Sequence, residues 1–211
     1  MNKSKIKICG IKNIETLYCC IINKVDFFGL IFYDKSPRNI KLEEASKLIE
    51  HSKDDLISSV GVFVDEPIDQ IKQILSKIKL DYIQLHGEEN NDYIKEIKKN
   101  KLVKVIKNIP INSTKDFMKI KNYNNTDMFL FDYKPKKNEL PGGNAKKFSW
   151  EILSNLLIEK PWFLSGGINK DNINTIKNFI IPYGIDISSG VEEKIGIKSN
   201  DKITSLLKIY E

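Results

Sequence analysis

Chemistry in this chain is concentrated where apolar runs stop. Ile6-Lys7-Ile8-Cys9-Gly10 alternates and then ends in a thiol and a glycine, so a short strand delivers a polarizable group to its carboxyl end. The run from Asp127 to Phe131 ends in Asp132, Gln84-Leu85 ends in His86-Gly87, and Trp162 to Leu164 is closed by Ser165-Gly166-Gly167. Gly184 to Ile187 carries Asp186 and runs into Ser188-Ser189-Gly190. Arg38 lies in the polar loop after another such run and is the single arginine among 34 basic residues.

Each group has a definite use and an ordinary alternative. Cys9 is a general base if neighbouring cations or oriented amides lower its pKa, and an inert packing group otherwise. Asp132, shielded from water, would hold its proton and act as a general acid; equally, it would cap the loop that follows. Gly-Gly after one strand and Ser-Ser-Gly after the next expose backbone N–H groups, and a short helix behind the second would point its positive end at the same place. Either loop alone reads as a tight turn. Both on adjacent strands read as a phosphate cup.

These residues converge only if the strands that carry them do. Strands are predicted at 5–9, 26–32, 57–64, 82–85, 102–107, 127–131, 162–164 and 184–187, with helical patterns between them. Asn13 is an N-cap before Ile14, Leu17, Tyr18 and Ile21. Further helices are expected over 42–52, after Glu66-Pro67, through Tyr93 and Ile97, near 113–121, from about Ser149, through Ile173, Ile176 and Phe179, and from about Ser199 to Tyr210. Eight strand–helix units in 211 residues, about 26 residues each, suit a (β/α)8 TIM barrel in one domain over 1–211. An open doubly wound sheet fits less well, because no strand is followed by Gly-x-Gly-x-x-Gly. In a barrel the carboxyl ends of all eight strands share one face, and Cys9, Arg38, His86, Asp132, Gly166, Gly167, Asp186, Ser189 and Gly190 would ring one mouth.

Composition narrows the function classes. The net charge is +6 and the pI about 9.0, yet the lysines are spread among Glu and Asp, as in Lys95-Glu96-Ile97-Lys98-Lys99, with no basic stripe interleaved with aromatics. No nucleic-acid partner is expected. No apolar run reaches the roughly 18 residues of a membrane span, and the start leads into a strand, so no membrane partner and a cytoplasmic location are expected. Cys9, Cys19 and Cys20 lack metal-site spacing, which points to a reducing compartment and no structural metal. Cys19 and Cys20 fall within a helix and read as packing residues.

Taken in order, Lys7-Ile8-Cys9-Gly10-Ile11, Phe32-Tyr33 with Ser36-Pro37-Arg38, Gln84-Leu85-His86-Gly87, Phe131-Asp132, Gly142-Gly143, Gly166-Gly167-Ile168 and Asp186-Ile187-Ser188-Ser189-Gly190-Val191-Glu192 resemble the phosphoribosylanthranilate isomerases of tryptophan biosynthesis. The likeness spans the chain. It implies an Amadori rearrangement of N-(5-phosphoribosyl)anthranilate without metal or cofactor, in a protein whose partner is this phosphorylated small molecule; the sequence leaves monomer and homodimer both open. It further implies that Asp132 is the acid and Cys9 the base, that Arg38 pairs with the anthranilate carboxylate, and that Asp186 lies near the substrate amine. Gly166, Gly167, Ser189 and Gly190 would hold the phosphate, and His86 a structural or lining place. The chain departs from the family pattern at Asn144-Ala145, where Thr-Gly is usual, at Ser149 in place of Asp, and at Ser165 in place of Ala. The rival readings are the aminoaldose isomerase of histidine biosynthesis, which uses two carboxylates where this chain has Cys9, and indole-glycerol phosphate synthase, whose lysine–glutamate set is missing. A basic RNA-binding barrel is the remaining rival, and would bind RNA with a steep salt dependence.

Overall fold

Period two divides the strand residues between two cores. In β1 (Lys5–Cys9), Ile6 and Ile8 belong to the large cluster that the helices cover, whereas Cys9 joins a second cluster with Phe27, Val60, Val62, Ile106, Met128, Leu130 and Phe163. That second cluster fills the axis of a closed ring. β2 (Phe27–Phe32), β3 (Ser58–Phe63), β4 (Tyr82–Leu85), β5 (Lys104–Ile111), β6 (Met128–Tyr133), β7 (Trp162–Leu164) and β8 (Gly184–Ile187) follow in sequence order. Every neighbouring pair is parallel, and β1 pairs with β8 to close the barrel. This computed structural model describes residues 3–99, 103–134, 142, 149–153 and 157–210. It is the (β/α)8 barrel expected from the strand pattern.

The helices that cover it begin where short polar side chains satisfy their first N–H groups. The Asn13 side chain accepts from Thr16 N at 2.8 Å ahead of α1 (Ile14–Ile22), and Asn90 does the same for Tyr93 N at 2.9 Å ahead of α4 (Asn91–Lys98). α2 (Leu42–Ser52), α3 (Ile68–Lys77, following Pro67) and α5 (Asn200–Tyr210) bury Leu48, Ile71 and Ile203 respectively against the barrel. Among the described residues no helix is long and apolar enough to cross a membrane.

Where further α-helices were predicted, the chain instead forms 3-10 segments over Thr114–Asn122, Trp150–Leu153 and Ile173–Asn178. The physical reason is visible in the spacing. Phe117, Ile120 and Tyr123, and likewise Ile173, Ile176 and Phe179, recur at a constant interval of three, which aligns on one face of a threefold helix and drifts off one face of an α-helix. β5 also outruns its predicted end and continues through Pro110 to Ile111, paired with β6. After β8 comes one 3-10 turn, Ser189–Val191, and then a hairpin that the strand pattern did not foretell, β9 (Glu192–Lys194) with β10 (Ile197–Lys198).

Three of the four even-numbered barrel strands share a device at the amino-terminal face. Asp26, Asp81 and Asp127, each placed just before β2, β4 or β6, accept the backbone N–H of Ile6, Ser59 and Val105 at 2.8 Å. Each carboxylate thus ties its own strand to the preceding one. At the opposite face the turn after β4 is held by Glu89, which accepts from Asp65 N at 3.0 Å, from Gly87 N at 3.1 Å and from the sealed Lys107 ammonium at 2.7 Å. Lys107 also donates to the Gly87 carbonyl at 2.6 Å. Replacing Glu89 with Ala leaves the buried Lys107 cation without its counterion and two N–H groups without their side-chain acceptor. A loss of about 3–5 kcal/mol is expected from urea unfolding, and a midpoint equal to that of the unchanged chain would refute this account of the turn.

Candidate active site

Inward-facing positions near the carboxyl ends of the strands carry the polar groups, because two residues beyond each core-filling side chain the barrel opens to water. Beyond Leu130 and Phe163 of the axial core stand Asp132 and Ser165, Gly184 is followed two residues on by Asp186, and Lys7 by Cys9. Cys9, Arg38, Gln84, His86, Asp132 and Asp186 line one cavity of about 570 Å³, its open mouth included. The acid and base candidates, from β6 and β1, therefore face the same space.

Cys9 lies beside Gly29 in register, and a Cβ on Gly29 would stand 2.8 Å from the Cys9 sulfur. Only glycine leaves that sulfur its place. Below it, the Lys7 ammonium, wholly buried, donates to Asp186 Oδ1 at 2.8 Å. Burial alone would push Lys7 down, but the charges of Asp186 and Cys9 hold it above the usual lysine range. For Cys9, burial pushes the thiol up; Lys7 pulls it down, Asp186 adds to the rise and Lys198 pulls it down again. The cations asked for on sequence grounds are present, yet burial outweighs them.

Asp132 is buried, and its Oδ1 accepts from Tyr133 N at 2.7 Å. His86 Nε2 stands 3.6 Å from Asp132 Oδ2, too long for a hydrogen bond, and its Nδ1 lies 2.9 Å from the Gln84 side-chain amide. His86 thus lines the cavity, as expected, but it does so beside the acid candidate. Gln84 was read only as part of a motif and given no place at the site, although its position two residues before His86 on the inward face was a usable signal.

Arg38 lines the cavity and also has a partner within the protein. Its Nε and Nη2 donate to Glu192 Oε1 and Oε2 at 2.7 and 2.8 Å, so the paired-donor edge that would suit a substrate carboxylate is taken by a carboxylate of the protein. A guanidinium only 5% exposed requires such a counterion. Glu192 also accepts from Lys198 at 2.8 Å and from Gly196 N at 3.1 Å. Burial pushes its carboxyl up, and the bonds from Arg38 and Lys198 overcome this and hold it at about 2. Asp186 likewise is engaged by Lys7 on one oxygen, with Ser165 Oγ 3.5 Å from the other.

The four phosphate candidates come together at the ends of β7 and β8. Gly166 and Gly167 have φ of +97° and +64°, and a Cβ on Gly190 would fall 1.9 Å from the Ile168 carbonyl, so the two loops touch backbone to backbone. Gly167, Ser189 and Gly190 line a second cleft with Lys170 and Lys202; Ser188, next in sequence, lines the first. The helix expected behind Ser188 is the single turn Ser189–Val191, too short to carry much dipole. Gly143, Asn144, Ala145 and Phe148 lie outside the described residues; Ser149 is exposed and Trp150 buried. Among the described residues no cluster of His, Cys, Asp and Glu is arranged to hold a metal.

Residues 6–209 match the family described as N-(5′-phosphoribosyl)anthranilate (PRA) isomerase. A relative of that name from Paramagnetospirillum magneticum is 35% identical over 97% of this chain and 95% of its own length. One from Clostridium acetobutylicum is 38% identical over 96% of each. The crystal structure of phosphoribosyl anthranilate isomerase from Thermotoga maritima superposes with a TM-score of 0.88 at 30% identity, covering 98% of both chains. A structure of such an isomerase with reduced 1-(o-carboxyphenylamino)-1-deoxyribulose 5-phosphate superposes at 0.84 with 29% identity, again over 98% of both.

The depressed carboxyl of Glu192 has a consequence for acid stability. A group whose folded-state pKa lies below its ordinary value contributes stability above that ordinary value and loses it as the pH falls through the folded one. Glu192→Gln is expected to be less stable than the unchanged chain at neutral pH, with the gap narrowing between pH 4.5 and about 2. Urea midpoints across that range check this, and a gap independent of pH would contradict it.

Proposed function

The chain belongs to the N-(5′-phosphoribosyl)anthranilate isomerase family and catalyses the corresponding step of tryptophan biosynthesis, and we propose that its own residues divide the work as follows. Asp132 protonates the ribose ring oxygen of N-(5-phosphoribosyl)anthranilate, the C1–O bond breaks, and the nitrogen lone pair forms a Schiff base with C1. Cys9, as thiolate, takes the proton from C2; the electrons of that C–H bond give the enolamine, which tautomerises to 1-(2-carboxyphenylamino)-1-deoxyribulose 5-phosphate. No redox partner is required, because C1 is reduced at the expense of C2 within one molecule. The observation that carries this reading is that Cys9 and Asp132, from β1 and β6, line one cavity, so an acid and a base address the same substrate from different sides.

Arg38, at the same cavity, supplies positive charge for the anthranilate carboxylate while Glu192 keeps its guanidinium in place. The phosphate end is the cleft of Gly167, Ser189 and Gly190, next to Gly166 in sequence, where backbone N–H groups are the donors and Lys170 and Lys202 stand among Asp171, Glu192 and Asp201. Asp186 reaches the substrate amine from a position it shares with Lys7. One catalytic domain over 1–211 carries all of this. Its location is the cytoplasm, where three unpaired cysteines stay reduced.

Loss of phosphoribosylanthranilate fluorescence on adding the protein reads the reaction directly. Cys9→Ala and Asp132→Asn are each expected to lower kcat by at least about 10²–10⁴-fold with substrate affinity nearly unchanged; near-normal turnover in either variant removes that residue from its role. Arg38→Lys is expected to weaken binding about 10-fold or more with a smaller effect on kcat, since one ammonium cannot hold Glu192 at two points and still present its charge to the cavity. Unchanged affinity would exclude Arg38 as the carboxylate's partner.

A further inference from the structure

The β9–β10 hairpin lies outside the eight strand–helix units, and its last residue places a cation at the end of β1. Lys198 is buried, with a side chain 2% exposed. Its ammonium donates to Glu192 Oε1 at 2.8 Å, to the Ser188 carbonyl at 3.0 Å and to Ser188 Oγ at 3.2 Å. Ser188 Oγ in turn donates to the Cys9 carbonyl at 3.0 Å. Lys198 therefore holds, through one hydroxyl, the backbone of the residue that must act as base.

The charges around Cys9 come from five elements. Lys7 lies two residues before it on β1 and is matched by Asp186 on β8. Arg38, from the loop after β2, and Lys198, from β10, both bond to Glu192 of β9, so neither cation has that carboxylate to itself. We propose that Lys198 is a positioning residue for the base: it holds the Cys9 backbone through Ser188 and supplies the positive charge, beyond the Lys7–Asp186 pair, that lets the buried thiol ionise. The inference rests on the reading of Cys9 as base. The effects of Lys198 on Cys9 and of Cys9 on Lys198 agree in sign, each favouring the charged form of the other against burial.

The pH dependence of Cys9 alkylation by iodoacetamide, followed by mass spectrometry of the peptide that separates it from Cys19 and Cys20, reports the thiolate without requiring turnover. Lys198→Met is expected to move the alkylation midpoint up by about one pH unit, and so to slow alkylation about tenfold below the midpoint, while Lys198→Arg restores most of it. Glu192→Gln supplies a second variant with the opposite sign: removing the shared anion is expected to move the midpoint down. A Lys198→Met midpoint equal to that of the unchanged chain would overturn the proposal. If Lys198→Met does not fold, a Glu192→Gln midpoint that stays put or rises overturns it instead. A shifted midpoint with kcat untouched upholds the link between Lys198 and Cys9 and removes Cys9 as base, so the two failures are told apart.

Discussion

A lysine sealed at the axis of a barrel is tolerable only if a carboxylate meets it there, and Lys7 and Asp186 meet at 2.8 Å across the seam where β1 closes on β8. The two are partners in the strand register itself. Closing the ring and neutralising the charge are thus one event. A register shift of one residue would turn Lys7 and Cys9 outward and leave Asp186 inside without a cation. The floor of the cavity and the continuity of the sheet are specified by the same contact.

Above that floor the site sets burial against charge. Burial strengthens every interaction a bound substrate makes, and it also penalises the ionised thiol that the reaction requires. The chain answers with cations from both sides: Lys7 from the floor, Lys198 and Arg38 from the rim, tied together by Glu192. The β9–β10 hairpin is the element that makes this possible, because it brings Glu192 and Lys198 back over the end of β1. Lys107 and Glu89 apply the same solution away from the cavity, where it fixes a turn.

Much of this was legible in the sequence, for reasons that can be named. The apolar runs mark eight strands, with Lys5–Cys9 and Tyr82–Leu85 recovered at both ends, and the inward parity of each strand puts Cys9, Asp132 and Asp186 on the axis side. Interval-three spacing at Ile173 and Ile176 was equally visible and was read as α-helical, although it describes a 3-10 segment. Asp26, Asp81 and Asp127 stood just before three even strands, a structural repeat without a sequence repeat around it. Lys198 was not legible. It is one of many lysines in a polar stretch, and its role depends on a hairpin whose short strands carry no apolar alternation. The bond from Arg38 to Glu192 was hidden for a related reason: a paired-donor group predicts a carboxylate partner, but not that the protein also provides one.

The connectivity of the seam also bears on how such a chain comes off the ribosome. Cys9 is made long before Asp186, Ser188 and Lys198, and the Lys7–Asp186 bond spans 179 positions. A nascent chain that has completed seven strands still holds Lys7 without its counterion and an open sheet edge where β8 belongs. Cotranslational folding of this molecule therefore has a late commitment point. Translation that stops short of Lys198 leaves the charge network around Cys9 incomplete, and one short of Asp186 leaves no closed ring to carry it.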